Sequence, residues 1–400
     1  MCPSRDADYF DAYGSRGRIQ ILKAALEGKI ELNKEFADIF FNCALCAWCT
    51  YKCPIGIKTT DLFLAARNKV VKRGLAPKIS QKVIQYIIRR GNPFGEPLSS
   101  KISWAKGLDL RKSGDTLLFA SCMNTLMGHQ ELIHNTGIPL YKIVNIFETM
   151  EKLRIDTLIR SVVNIVLNPN KKYGETLRRG VKILRMLGIE PAYLYEDEPC
   201  CGKPFHTYGF MNEFEQHARK VAALFKEKNI KRIVVLNPVC LYTFKVLYPQ
   251  FVEDFNNIDV KHISEIIAEN LDKWADKAFF NTLTRVTYHD PCYMSRYMDL
   301  TQPPRTVMTS IRNIKLIEPR FAGKDTYCTG DGGIEITHPT SASKMALTRV
   351  RMLLETNPDK IVTACPACIT MIKLGIKLLE SKNRVKVIDL IDLIYEAIFK

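Results

Sequence analysis

The sequence lacks any apolar run long enough to cross a bilayer. Its longest tracts, such as VVNIVL from Val162 to Leu167, fall far short of the roughly 18 residues a membrane helix needs. The first ten residues, MCPSRDADYF, contain no basic-then-apolar leader, so no signal peptide is expected. No helix-turn-helix, zinc-finger helix or stacking-aromatic motif is present, which argues against nucleic acid as a partner. The one Gly-rich turn, GDGG at 330–333, is too short and lacks the flanks of a dinucleotide fingerprint, so no flavin or nicotinamide site is expected on this chain.

What the chain does have is cysteine. There are 13 in 400 residues, an odd number that includes the adjacent pair Cys200 and Cys201. With no leader, reduced metal-binding thiols are a better reading than a secreted disulfide scaffold. A hydrophobic content of 46% suffices for two or three packed domains. The formal charge of +16 is uneven: residues 1–112 hold 20 Lys or Arg against 10 Asp or Glu. Such a face suits an anionic lipid surface or an acidic partner protein, beside the plain alternative of a solvated basic surface.

The densest motif is NCALCAWCTYKCPIGI (42–57), with Cys43, Cys46, Cys49 and Cys53 spaced C-x2-C-x2-C-x3-C before proline. That spacing points to iron and sulfide, because three thiolates wrap one [4Fe-4S] cube while the Cys-Pro turns toward another. The motif ordinarily comes in pairs, and its twin is missing. The one trace is Cys2-Pro3. Cys2 is therefore the expected fourth ligand to the cluster of Cys43, Cys46 and Cys49, and Cys53 points at a cluster this chain does not complete. The rival arrangement has Cys53 closing its own cube.

Punctuation divides the chain. GNPFGEPLSS (91–100) and RKSGDT place a boundary near 112. Before it, RIQILKAALEGKI and TDLFLAARNKVVKRG carry helical spacing. After it, the β-rich runs TLLFAS, RIVVLN, RVTYHD and KIVTA alternate with helical segments, which argues α/β architecture with parallel sheets. There is an internal repeat: EPCCGKPFHTYG matches TYCTGDGGIEIT, and IKRIVVLNPVC matches PDKIVTACPAC. Cys201 to Cys240 and Thr329 to Cys368 are both 39 residues apart. The expected domains are a helical one (1–112), a first α/β module (113–275) and a second (276–400). The cysteines follow strands, so they should converge at the carboxyl edge of each sheet. Cys122, Cys200, Cys201 and Cys240 are the candidate metal ligands of the first module, and Cys292, Cys328, Cys365 and Cys368 those of the second. Asn237 stands where Cys365 stands, and Thr329 where Cys201 stands.

These motifs resemble the cysteine-rich CCG domains of the heterodisulfide reductase and glycolate oxidase iron-sulfur subunit family, and the first segment is similar to that family's ferredoxin segment. The resemblance implies a fold of an N-terminal helical ferredoxin-like domain followed by two α/β CCG modules, with all thirteen cysteines on family positions. It implies an electron-transfer subunit that links a partner dehydrogenase, often a flavoprotein, to a membrane or disulfide acceptor. Each CCG module would hold a further iron-sulfur cluster or zinc.

Two departures qualify that picture. Cys122 to Cys200 spans 78 residues against 36 from Cys292 to Cys328, a helical insertion near 128–171. It is expected to dock on a partner or a membrane surface, or to pack on its own domain. Neither module has the full five-cysteine set that direct disulfide reduction would use, so electron relay is favoured over an independent active site. A heterodisulfide or thiol-dependent reductase is the alternative, and a zinc-stapled scaffold the third. Cys365 to Cys368 alone match a thioredoxin C-x-x-C but close a repeat instead of opening a helix early in the fold. His289 and Asp290 read as tuning or turn residues, Asp331 as an acceptor of backbone amides in its glycine turn, and His129 and His206 as polar neighbours. The expected place is the cytoplasmic face of the membrane, held peripherally.

Overall fold

The computed structural model describes residues 2–136, 160, 169–379 and 385–399. Most of the insertion at 128–171, and with it the expected docking helices, lies outside the described residues. Among the described residues no helix is long and apolar enough to cross a membrane.

The first segment is helical. Asn33 caps the helix Lys34–Phe41 by accepting from Phe36 N at 2.9 Å, and Gly91, at φ 67°, ends the helix Lys78–Arg90. Between Lys34–Phe41 and Thr59–Lys72 the cysteine loop bends through two non-glycine left-handed residues, Leu45 (φ 47°) and Ala47 (φ 58°). Strain of that kind persists where the surroundings fix a functional loop.

Among the described residues seven strands follow: β1 (Thr116–Phe119), β2 (Arg232–Val235), β3 (Asp259–His262), β4 (Phe279–His289), β5 (Arg312–Leu316), β6 (Lys360–Thr363) and β7 (Lys386–Asp389). They form two parallel sheets, β1-β2-β3 and β5-β4-β6-β7. The repeat is visible in the pairing. Ala192 makes a parallel bridge to Leu117 on the free side of β1, donating to Thr116 O at 2.8 Å, and so takes the place that β5 takes beside β4. Both faces of the first sheet are covered, as parallel sheets require. Leu117, Phe119, Ile233 and Val235 pack with Phe36, Phe40 and Phe63 of the first segment. The alternating residues Leu118 and Val234 share a second core with Val286 and Val362 of the other sheet. The result is mixed helix and parallel sheet, with two related modules.

Candidate metal centres

All thirteen cysteines are free thiols. In the first segment Cys2, Cys43, Cys46 and Cys49 line one small cavity with Arg18 and Trp48. Buried Arg18 holds the walls together by donating to Tyr13 O beside Cys2, to Asn42 O beside Cys43 and to Ile39 O. Arg67, also buried, donates to Cys43 O at 2.6 Å and to Phe40 O. Burial pushes the Cys43 thiol up, opposed by the charges of Arg18 and Arg67. Burial likewise takes Cys49 up to about 12, opposed by the hydrogen bond from Thr59. Cys53 does not line the cavity; its sulfur accepts from Ile57 N at 3.3 Å in a surface turn.

The second module's thiols meet at the ends of β4 and β6. The Cys328 thiol is pushed well above the usual range by the neighbouring Cys292 thiol and by burial, and Cys46 of the first segment by the Cys328 thiol and by burial. Cys365 caps the helix Pro366–Leu378 by accepting from Cys368 N at 3.5 Å. Asp331 reaches into this group, with carboxylate oxygens 3.7, 3.9 and 3.3 Å from the sulfurs of Cys328, Cys365 and Cys368. Arg296 ties the group to the first segment, donating to Cys46 O at 2.5 Å and to Thr326 O at 2.7 Å. His289 accepts from Arg349 Nε at 3.1 Å, and Asp290 pairs with Arg305 at 2.7 Å; the structure gives both structural bonds.

In the first module the sulfurs of Cys122 and Cys200 stand 3.9 Å apart. The neighbouring Cys200 and Cys240 thiols hold Cys201 well below the usual thiol range, and Cys200 is pushed up by the Cys122 and Cys201 thiols and by burial. Asn237 does the capping that Cys365 does in the other copy, accepting from Val239 N at 2.9 Å. Its amide also donates to Ser121 Oγ, which Cys240 reaches at 3.3 Å. His129 faces Glu96 at 3.2 Å, and His206 faces Lys203.

A cavity of about 110 Å³ opens between the modules. Cys122, Cys200, Cys201 and Cys240 line one side, and Tyr293, Asp331 and Glu335 the other. Buried Lys203 also lines it, donating to Thr207 Oγ1 at 2.9 Å. Burial brings Lys203 down to about 7, partly offset by Cys201. Burial, and then Asp331, take Glu335 up to about 8. Sequence reasoning missed Lys203 and Glu335 as well as the buried Arg18 and Arg67 and the half-buried Arg296. One signal was available: Lys203 and Asp331 occupy the same repeat position, three residues after Cys200 and Cys328, with opposite charge.

The donor sets fit iron-sulfur clusters. Four thiols surround one enclosed space in the first segment and four are gathered in each module; soft thiolates select iron-sulfur clusters or zinc. The profile described as the cysteine-rich CCG domain matches residues 166–245 and 286–373. The chain therefore carries two CCG cysteine-rich domains. Over 394 residues it is 26% identical to one subunit of the dihydromethanophenazine:CoB–CoM heterodisulfide reductase of Methanosarcina barkeri, covering 94% of this chain and 83% of that one. It is 24% identical to an iron-sulfur protein of Methanocaldococcus jannaschii, covering 98% and 70%. To the EtfAB:quinone oxidoreductase of Syntrophomonas wolfei it is 26% identical, covering 90% of this chain and 47% of that one. The cysteine-rich domains and the iron-sulfur relatives together support iron-sulfur clusters as the bound groups.

Proposed function

We propose that the chain is an iron-sulfur electron-transfer subunit, relaying electrons between a partner dehydrogenase, flavin-dependent in this reading, and a membrane or disulfide acceptor. The observation that carries it is the Arg296 bridge, which donates to Cys46 O and to Thr326 O and so ties the thiol loop of the first segment to that of the second module. Those thiols are in turn separated from the first module's by the cavity that Asp331 and Cys201 both line. Clusters held there would supply one-electron carriers whose potentials respond to burial, charge and hydrogen bonds to sulfur. Cys2, Cys43, Cys46 and Cys49 would hold the ferredoxin-type cluster of a domain ending near 112. Cys122, Cys200, Cys201 and Cys240 would serve the first module, to about 275, and Cys292, Cys328, Cys365 and Cys368 the second. Arg18, Arg67 and Arg296 place positive charge beside these thiols and exclude water from them. The names of the relatives, which include a heterodisulfide reductase and a quinone oxidoreductase, support a redox partner and an acceptor of either kind. The basic first segment favours peripheral attachment at the cytoplasmic face of the membrane.

The test is anaerobic purification with iron, zinc and acid-labile sulfide analysis. Brown protein with matched iron and sulfide is expected; colourless protein with zinc and no sulfide would establish the scaffold instead. The cavity between the modules favours a second reading, disulfide or thiol-dependent reduction on the chain itself. Disulfide turnover by the isolated protein with an artificial electron donor would put that reading first.

A further inference from the structure

Three tyrosines stand where the three thiol groups come together. Tyr242 follows Cys240 by two residues, Tyr293 follows Cys292 directly, and Tyr297 lies four residues beyond Tyr293. Their rings form one cluster, with centroids 4.7 Å apart for Tyr293 and Tyr297, 4.8 Å for Tyr242 and Tyr297, and 5.3 Å for Tyr242 and Tyr293. Tyr297 extends the cluster to the first segment: its hydroxyl donates to Leu45 O at 2.6 Å, and Leu45 N donates to Cys43 Sγ at 3.4 Å. The repeat shows that packing the modules together does not in itself call for these rings. The modules meet at two equivalent corners, where the helix Pro238–Tyr242 packs on Cys292–Ser295 and Pro366–Leu378 packs on Cys122–Thr136. At the second corner Thr370 and Met123 hold the places of Tyr242 and Tyr293. The paired rings stand at the corner that faces the first segment.

We propose that Tyr242, Tyr293 and Tyr297 are the bridge that carries electrons between the first module's centre and the other two. The inference rests on the proposed function, in which the three thiol groups hold iron and sulfide. An electron tunnels far less readily across a gap between unbonded side chains than along bonds, hydrogen bonds and rings in contact, so the packed rings join groups that their backbones hold apart. From the first segment the path runs from Cys43 through Leu45 to the Tyr297 hydroxyl, across the rings to Tyr242, and along two residues to Cys240. Tyr293 connects the same rings to Cys292. Each transfer moves one electron out of one centre and into another. Iron-sulfur potentials are too low to oxidise a phenol, so the tyrosines themselves neither gain nor lose an electron. Entry is at the first segment, because Cys2, Cys46 and Cys49 are half-buried while every module thiol is buried.

The experiment compares the full chain, purified anaerobically, with Tyr242→Leu, Tyr242→Phe, Tyr297→Phe and Thr370→Val. A flash-generated deazaflavin radical supplies one electron, and freeze-quench electron paramagnetic resonance follows its arrival at the first module's centre. Iron content and a redox titration of each variant separate a changed path from a changed centre. Tyr242→Leu should slow the arrival by an order of magnitude, with iron content and potentials unaltered. Tyr242→Phe keeps the ring and should keep the rate. Tyr297→Phe loses the bond to Leu45 O and should slow it. Thr370→Val, at the other corner, should leave it unchanged. An unchanged rate in Tyr242→Leu would overturn the inference while leaving the electron-transfer reading in place. So would an equal slowing in Thr370→Val, which would mean a general loosening between the modules. Should Tyr242→Leu fail to hold its iron, an unchanged rate in Tyr297→Phe overturns the inference equally. Absence of iron and sulfide from the unaltered protein would remove both.

Discussion

Cys53 belongs to the same run as Cys43, Cys46 and Cys49, yet its sulfur accepts from Ile57 N in a surface turn. Cys2, forty-one residues before Cys43, shares a cavity with the other three. If Cys2 is the fourth ligand, Cys2→Ser should lose the first segment's cluster signal in the reduced protein, and Cys53→Ser should keep it. Iron analysis and electron paramagnetic resonance of the two variants check this, and the reverse pattern would assign Cys53 instead. Part of this was legible in the sequence, because ligand spacing is a local property and the Cys-Pro pair is recognisable at the first residues. The charged residues behind the thiols were not. Arg18 and Arg67 are 0% and 1% exposed, and an arginine tied to backbone carbonyls elsewhere in the chain looks the same in one sequence as an arginine on the surface.

At the scale of elements, the four runs named from the sequence coincide with β1, β2, β4 and β6, whose apolar residues lie on both faces of buried sheets. β3 (DVKH), β5 (RNIKL) and β7 (KVID) were not named; they are short edge strands diluted with Lys, Arg and Asp, and only pairing with a neighbour defines them. One element end has a pH consequence. His262, 1% exposed, closes β3 and caps the helix Ile263–Ala268: Nδ1 accepts from Ser264 N at 3.2 Å, and Nε2 donates to Leu236 O at 3.1 Å. Burial brings its pKa from the usual 6.5 down to about 4. Between those values the unfolded chain binds more protons than the folded one, so this group's contribution is present above pH 6.5 and is lost as pH falls toward 4. A shift of that size corresponds to roughly 3 kcal/mol. Denaturant unfolding from pH 7 to 4 should show the decline, and His262→Gln should flatten it.

For the whole molecule the question is whether the first segment stands apart as its motif suggests. It is bonded to both modules. Asn68 Nδ2 donates to Gly209 O at 2.8 Å, Tyr297 OH donates to Leu45 O at 2.6 Å, and Thr337 Oγ1 donates to Phe41 O at 3.2 Å. Such contacts, between residues up to about three hundred apart, leave no trace in local spacing, which is why the order of the thiol groups could not be read beforehand. Arg67 is the most enclosed of these ties. It bonds Phe40 O, Cys43 O and, across to the first module, Thr207 O at 2.6 Å. Replacing it with Met keeps much of the volume but leaves three carbonyls without donors in a buried site. At about 1–3 kcal/mol for each unsatisfied group, the loss should reach at least about 3 kcal/mol. Because the tie joins segment to module, Arg67→Met should lower the stability of both together. Thermal unfolding followed by far-ultraviolet circular dichroism and by cluster absorbance should give one coincident transition in the unaltered chain, and in the variant one at lower temperature. Separate transitions, with only the cluster absorbance displaced, would mean that the first segment folds on its own and that Arg67 serves its cysteine loop alone.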